Sequence, residues 1–161
     1  MDWEDYKTSV RQLDALIAER RLDAALAHVD RLLASSPGSV ALLIKQATLR
    51  QLQNDDAQTP TLADCRQSLE RAIELEPNAV EPYVELGHLD YAVADDPQTA
   101  LISFEKAVES AAKGLKEGLI GMAKCQLELG QLDAVQKIIE YLKLLFPDDL
   151  DVAMLEDECE Q

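Results

Sequence analysis

The residue types that most often carry catalysis are sparse in this chain and stand in no catalytic pattern. His28 and His88 are isolated, with no Ser-His-Asp or Cys-His signature around them, and no glycine-rich loop is present to cradle a phosphate. We expect His28 on a solvated helix face, and we treat His88 as a candidate for lining a groove. The sequence therefore predicts no catalytic residues and no enzyme.

The cysteines and paired carboxylates do not form a metal-binding pattern either. Cys65, Cys125 and Cys159 are widely spaced, without a C-x-x-C pair or a histidine nearby, which argues against a zinc site or a disulfide framework and fits a reducing compartment. Three carboxylate pairs lack the alternating order of a calcium loop and are expected in turns and at helix starts: Asp55-Asp56, Asp95-Asp96 and Asp148-Asp149. We predict no metal and no organic cofactor.

The charge balance excludes several classes of partner. The chain has 31 Asp and Glu against 15 Lys and Arg, which gives a formal net charge of −16. Because nucleic acids and anionic membranes are bound through Lys and Arg, we expect neither nucleic acid nor direct membrane binding. Residues 1–5 lack the basic and apolar regions of a signal peptide, and no apolar run approaches the roughly 18 residues of a spanning helix. We expect a soluble, cytoplasmic protein.

Composition and apolar spacing predict an all-α chain. Only six Gly and six Pro interrupt a sequence that is rich in strong helix formers. Apolar residues recur with the i, i+3, i+4 spacing of a buried helix face, for example at Leu22, Ala25, Val29 and Leu32. A proline follows the stripe in three places: Pro37, Pro77 and Pro147.

A longer pattern divides the chain into units. Its clearest copy reads Tyr83-Val-Glu-Leu86-Gly87, followed by Ala100, Phe104 and Ala107. An aromatic residue, Leu-Gly, a small residue, a second aromatic and a helix-ending Pro within roughly 34 residues resemble the tetratricopeptide repeat (TPR) family. The resemblance covers nearly the whole chain. It implies a right-handed solenoid of stacked, antiparallel helix-turn-helix repeats that binds another protein.

Four repeats are predicted within a single domain. Their approximate bounds are residues 1–37, 38–78, 79–114 and 115–147, and the acidic tail, residues 148–161, is expected to form a short capping helix. Cys65 takes the place of the small residue where the two helices of the second repeat approach closely. Helix starts are expected at Asp96, with Pro97 in the first helical position, and at Asn78 or Asp148.

The second and third repeats depart from the family pattern. The polar stretch 53–61 lengthens the turn of the second repeat and is expected on the surface. In the third repeat, Asp90 stands where the pattern has an aromatic residue, and an extra residue falls near Asp95-Asp96-Pro97. Ala112 replaces the terminal Pro of that repeat.

Superposing the first helix of each repeat predicts a concave groove, the surface that solenoids usually use for binding. Its three rows are Val10, Ile44, Val84 and Ile120; Asp14, Thr48, His88 and Lys124; and Ile17, Gln51, Tyr91 and Leu127. We expect this largely apolar strip to accept an apolar or basic-apolar segment, extended or helical, of another protein. The alternative is that these side chains only pack against neighbouring helices.

Other TPR-type functions imply different residues or partners. TPR modules that clamp the carboxylate tails of heat-shock chaperones have Lys and Asn in the groove, whereas the matching places here hold residues such as Val10, Asp14 and Ile44, so that ligand is not expected. One alternative is an acidic secretion chaperone for a hydrophobic client, similar to class II chaperones of bacterial type III secretion. A second is a self-associating homodimer, and a third is a ligand pocket in which Lys124 and His88 act together.

Overall fold

The computed structural model describes residues 3–53 and 62–159, which form helices with no strand in these two ranges. The helices are α1 (Trp3–Ala18), α2 (Leu22–Ser35), α3 (Val40–Leu52), α4 (Leu62–Leu75), α5 (Val80–His88), α6 (Pro97–Glu128), α7 (Leu132–Leu145) and α8 (Leu150–Cys159). A π-helix, Leu89–Val93, follows α5 directly. The all-α prediction is confirmed. The lengthened turn predicted at 53–61 lies, after Gln53, outside the described residues.

The chain divides into two compact units, residues 1–108 (unit 1) and 109–161 (unit 2). In unit 1, one apolar layer joins α1, α2 and α3, and a second joins α3, α4 and α5. Helix α3 belongs to both layers, with Leu42 and Leu49 in the first and Leu43 and Ala47 in the second. Stacking of successive helix pairs over shared layers is the packing of a repeat solenoid, in which each repeat contacts its neighbours.

Small residues set the close approaches that the repeat pattern predicts. Cys65 and Ala100 are almost completely buried, at 2% exposure each. Gly87 lies against the ring of Phe104, so close that a Cβ atom on Gly87 would stand 2.7 Å from Phe104 Cε1. Only a glycine therefore fits there without moving the ring.

The third repeat takes up an extra residue in the π-helix Leu89–Val93, earlier in the chain than the position expected near Asp95-Asp96-Pro97. Its wider hydrogen bond runs from the Ala94 amide to the Leu89 carbonyl oxygen at 3.0 Å, five residues back, so one more residue fits into the turn. Asp90 points into the protein with no exposed surface and pairs with Arg66, whereas its neighbour Tyr91 is 62% exposed. In place of the aromatic residue of the pattern, the chain thus has a buried carboxylate paired with a half-buried arginine.

Helix α6 begins as its sequence predicts. Asp96 precedes the first helical residue, Pro97, and its carboxylate accepts hydrogen bonds from the Thr99 amide at 3.1 Å and the Thr99 hydroxyl at 2.7 Å. These bonds hold the pKa of Asp96 below its ordinary value. A carboxylate cap followed by proline at the first position is a favoured helix start.

The end of the third repeat differs from the expected helix break. Helix α6 runs without interruption through 32 residues, so the boundary expected after residue 114 lies inside it and has no turn. The earlier repeats have Pro37 and Pro77 just beyond their second helices, but this one has Ala112. Without proline, the backbone amide at 112 remains available to continue the helix.

Unit 2 contains the second part of α6, α7 and α8 around one apolar core. Its buried residues include Ala123 on α6, Ile139 and Leu142 on α7, and Val152 and Leu155 on α8. Helix α8 therefore covers the core, which confirms the predicted C-terminal capping helix. Gly130, with φ +71°, forms the turn before α7, a left-handed conformation that glycine adopts without strain.

Lys116 connects two parts of unit 2. Its Nζ atom donates hydrogen bonds to Asp149 Oδ2 at 2.8 Å and to Asp151 Oδ2 at 2.9 Å, joining α6 to the start of α8. These bonds raise the pKa of Lys116 and, together with its charge, lower that of Asp149. The start of α8 is thus held by charge-assisted hydrogen bonds as well as by apolar burial.

Candidate functional site

Three helices of unit 1 enclose a cleft, here called the unit 1 cleft, of about 310 Å³. Its lining consists of Ile17 from α1, then Ala41, Ile44, Lys45, Thr48, Leu49 and Leu52 from α3, and Glu81 and Glu85 from α5. Three residues of the predicted groove, Ile17, Ile44 and Thr48, come together here. Helices α1, α3 and α5 therefore line one concave surface.

The register of α3 explains the apolar floor of this cleft. Residues 41, 44, 48 and 52 follow helical spacing and lie on one face. Ile44 is 5% exposed and also belongs to the core layer with α4 and α5, so only a small part of it is available at the floor. Leu52 is 56% exposed and provides the accessible apolar surface. Thr48 donates its hydroxyl to the Ile44 carbonyl oxygen at 3.1 Å, so that hydroxyl is already hydrogen-bonded.

The cleft is electrostatically negative. Among its described lining residues Lys45 is the one cation, and its Nζ atom pairs with Asp14 Oδ1 at 3.3 Å. Glu81 and Glu85 have no ion pair with any of the described residues. Because unpaired carboxylates beside a low-dielectric apolar surface attract cations, this arrangement favours Lys or Arg on an incoming segment.

A second cleft of about 570 Å³ adjoins the first and shares Ala41, Ile44 and Glu81 with it. It extends past the starts of α3 and α5, where Ser39, Val40, Val80 and Pro82 are among its lining residues. Glu76 adds a further carboxylate. The acidic and apolar surface thus continues along unit 1 beyond the predicted groove.

The remaining groove residues of unit 1 lie outside these two clefts. Val10, Gln51 and Val84 are half-buried, and Tyr91 is exposed. His88 is exposed, and its ring stands edge-on to Phe104, with 5.2 Å between the ring centroids. Asp14 reaches the unit 1 cleft only through its ion pair with Lys45.

The groove residues of unit 2 take different positions. Ile120 and Leu127 are half-buried and pack against the core formed by α6, α7 and α8. Lys124 is exposed, with its Nζ atom 4.0 Å from Glu158 Oε2 on α8. The two apolar residues thus contribute to the packing of unit 2.

The expectation for His28 is wrong. Its side chain is 6% exposed, Nε2 lies 2.9 Å from the Ser9 carbonyl oxygen, and Nδ1 accepts a hydrogen bond from Arg31 at 3.0 Å. An arginine can only donate, so Nδ1 is the acceptor and Nε2 carries the proton given to Ser9. His28 thereby joins α1 to α2 and is not available at the surface.

Several cleft residues were not identified by sequence reasoning. Lys45 and Glu85 directly follow the predicted groove residues Ile44 and Val84, Leu52 lies four positions after Thr48, and Glu81 lies three positions before Val84. Residues three or four apart share a helix face, and adjacent residues border it, so widening each predicted position to its neighbours would have found them.

A metal site requires clustered ligating side chains, and a membrane-spanning helix requires a long apolar stretch. Within residues 3–53 and 62–159, no three or more His, Cys, Asp or Glu side chains gather closely enough to hold a metal ion. Over the same ranges, no helix has both the length and the apolar character needed to cross a membrane.

Solved structures share this fold at low sequence identity. A MamA protein aligns over 96% of this chain and 85% of its own length, with 16% identity and a TM-score of 0.54. A thermophilic TPR protein from Thermus thermophilus aligns over 92% of this chain and 77% of its own, with 18% identity and a TM-score of 0.54. No protein-family model and no curated protein matches the sequence. The likenesses confirm a TPR-like fold.

Proposed function

We propose that this protein is a non-enzymatic interaction module and that the unit 1 cleft holds a basic-apolar segment of another protein. The observation that carries the proposal is the combination of an apolar floor, with Leu52 exposed, and two carboxylates, Glu81 and Glu85, that have no ion pair with the described residues. An apolar side chain of the partner would cover Leu52, and a neighbouring Lys or Arg would meet the carboxylates.

The size of these interactions is compatible with moderate affinity. Burying one large apolar side chain contributes ~1.5–3 kcal/mol, and part of this gain offsets the ordering of the segment. Two or three such contacts contribute about 3–9 kcal/mol before that cost, which supports weak to moderate binding, with dissociation constants between roughly millimolar and micromolar. The acidic surroundings would increase the association rate with a basic partner, and added salt would reduce that increase.

Binding rather than catalysis also agrees with the roles of the few chemically versatile side chains. His28 is held between Ser9 and Arg31, and Lys124 lies within ion-pair distance of Glu158. The free thiols Cys65 and Cys125 favour the reducing cytoplasm as the compartment. We therefore propose a cytoplasmic adaptor without a cofactor.

Selection of peptides from a random displayed library against the whole protein tests this proposal. The expected sequences combine Lys or Arg with Leu, Ile or Phe. A selected peptide should bind the Glu81→Gln, Glu85→Gln double variant about five- to thirtyfold more weakly, since each of the two lost charge interactions costs roughly 0.5–1 kcal/mol.

A matched variant separates the cleft from the general acidity of the protein. Glu70 on α4 and Glu140 on α7 are exposed and do not line the clefts described above, so Glu70→Gln with Glu140→Gln removes the same charge elsewhere. This control should bind the peptide as the wild type does. An equal loss in both double variants would contradict a cleft site. Selected peptides without basic residues would favour the secretion-chaperone alternative with its hydrophobic client.

A further inference from the structure

One face of α6 in unit 1 lacks the cover that its equivalents have in earlier repeats. The small residues of the first three repeats are Ala25, Cys65 and Ala100. The positions directly after them hold Leu26, Arg66 and Leu101. Leu26 packs against the layer of α1, α2 and α3, and Arg66 reaches Asp90 in the first helix of the next repeat. Leu101, by contrast, is 58% exposed. The position that contacts the next repeat is thus open in the third repeat.

A second position on the same face shows the same difference. Leu33, Ile73 and Val108 each lie eight residues after the small residue of their repeat. Leu33 contacts both apolar layers of unit 1, and Ile73 packs against the second layer. Val108 is exposed, and its seven-residue spacing from Leu101 places both on one helix face. Leu101 and Val108 together are called the forward face.

The part of α6 in unit 2, together with Leu129 directly after its last residue, Glu128, has a complementary open face. Leu115, Met122 and Leu129, spaced seven residues apart, are exposed by 50%, 54% and 70%. Met122 directly precedes Ala123 and so matches Leu86, which directly precedes Gly87 in the third repeat. Unlike Met122, Leu86 is only 8% exposed, because it packs in the core layer that α5 shares with α4. Residues 115, 122 and 129 are called the backward face. Within this face, Met122 occupies the position at which Leu86 packs against the preceding repeat.

Forward and backward faces are the two sides of one repeat-to-repeat interface. Antiparallel pairing of two helical segments needs a turn between them, and α6 has no turn between Val108 and Leu115. We propose that a second copy of this chain provides the missing side. The forward face of each copy packs against the backward face of the other, which gives a two-fold symmetric, domain-swapped dimer with two equal interfaces.

The charge of α6 supports pairing between copies. The helix contains four Lys and four Glu and no Asp, so its formal charge is zero in a chain of net charge −16. Two strongly acidic proteins repel each other in general. Pairing through the charge-balanced helix keeps that repulsion away from the contact, whereas the more acidic helices would bring like charges together.

Sedimentation equilibrium over a wide range of concentration tests the dimer. The wild type should have about twice the chain mass of 17.8 kDa, and the Leu101→Glu, Met122→Glu double variant should be a monomer with unchanged helicity. Leu144 on α7 is 76% exposed and lies outside both faces, so Leu144→Glu is the control and should remain a dimer. A monomeric wild type, or a double variant as dimeric as the control, would overturn the proposal.

A proline at position 112 tests the role of the continuous helix. Ala112→Pro removes a helical hydrogen bond and supplies the helix end found at Pro37 and Pro77 in the earlier repeats. The two faces of one chain can then pair with each other, so this variant should be monomeric with nearly the same helicity as the wild type. A folded Ala112→Pro variant that stays dimeric would overturn the swapped arrangement.

Discussion

Arg66 on α4 donates a hydrogen bond to the carboxylate of Asp90, which has no exposed surface in the π-helix after α5. This pair joins the second and third repeats at a position where the TPR pattern has an aromatic residue. The second carboxylate oxygen, Oδ2, has no hydrogen-bond partner among the described residues. Arg66 is therefore the partner that stabilises the Asp90 carboxylate, because a buried ion without its partner is unfavourable.

Arg66→Met should lower the free energy of unfolding by about 3–5 kcal/mol, since it leaves an uncompensated buried carboxylate. Urea denaturation followed by circular dichroism measures this change. Arg71→Met is the matched control, because Arg71 pairs with Glu74 on the exposed surface of the same helix, where such a pair contributes only ~0–1 kcal/mol.

A double variant separates loss of charge from loss of packing. Arg66→Met with Asp90→Leu removes both charges, so it should recover much of the lost stability. Equal stabilities of Arg66→Met and Arg71→Met would show that the buried pair does not join the repeats as described.

Gly87→Ala should destabilise unit 1 by about 1–3 kcal/mol, since the new methyl group would overpack the site beside the Phe104 ring. Gly121→Ala is the control, because a Cβ there meets nothing within 4 Å and alanine in a helix interior should add ~0.5–1 kcal/mol. Thermal unfolding of both variants tests the contact. A double variant with Phe104→Leu should restore part of the loss, and a Gly87→Ala protein as stable as the wild type would contradict the close approach.

Acid should weaken unit 2 through Asp149. Hydrogen bonding to Lys116 holds the pKa of Asp149 below its ordinary value of 3.8 in the folded protein. As the pH falls below 3.8, the Asp149 carboxylate is protonated first in the unfolded chain. The stability that the pair contributes is therefore fully present above pH 3.8 and is lost as the pH falls through the lower pKa that Asp149 has in the folded protein. Between a pH above 3.8 and one below it, the urea midpoint of the wild type should therefore decrease by more than the urea midpoint of Lys116→Met.

The control for acid sensitivity is Lys143→Met. Lys143 pairs with Glu156 at 2.6 Å in the same unit. Its substitution removes that pair but leaves the pair of Lys116 and Asp149 in place. It should keep the steep acid dependence of the wild type. If Lys116→Met and Lys143→Met respond to acid alike, another group sets the acid sensitivity.

The two described thiols should differ in reactivity. Burial raises the pKa of Cys65 and covers its sulfur, whereas Cys125 is exposed. In a Cys159→Ser background, an aromatic disulfide reagent should modify Cys125 at least about tenfold faster than Cys65, and Cys65 should react fully only in urea. Similar rates for both thiols in the native protein would contradict the burial of Cys65 against α3 and α5.

The repeat arrangement could be predicted because local signals and packing agree along most of the chain. Small residues at Cys65 and Ala100 permit close helix approaches, and Pro97 follows the Asp96 cap. The continuity of α6 was not predicted, since the repeat pattern favours a turn there. Ala112 and its neighbours are compatible with a helix. The glycine among them, Gly114, makes the helix less favourable by only about 1 kcal/mol relative to alanine, which is not enough to end it.

Contacts between distant residues explain the remaining differences. The burial of His28 depends on a carbonyl oxygen of α1, at Ser9, and that of Asp90 depends on Arg66. Helical periodicity identifies a face but not the partner that satisfies a polar side chain on it. The groove prediction included Ile17 and Thr48 of the cleft lining but not the two glutamates, because it was limited to three positions on each first helix and left out their neighbours.

The most direct test of the cleft is the affinity of a selected basic-apolar peptide for a Thr48→Trp variant, measured by calorimetry. The larger side chain would fill much of the 310 Å³ space, so binding should fall by at least about tenfold, or ~1.4 kcal/mol. Gln67→Trp, on the exposed surface of α4, should bind as the wild type does. Unchanged affinity in a folded Thr48→Trp protein would contradict binding in the unit 1 cleft.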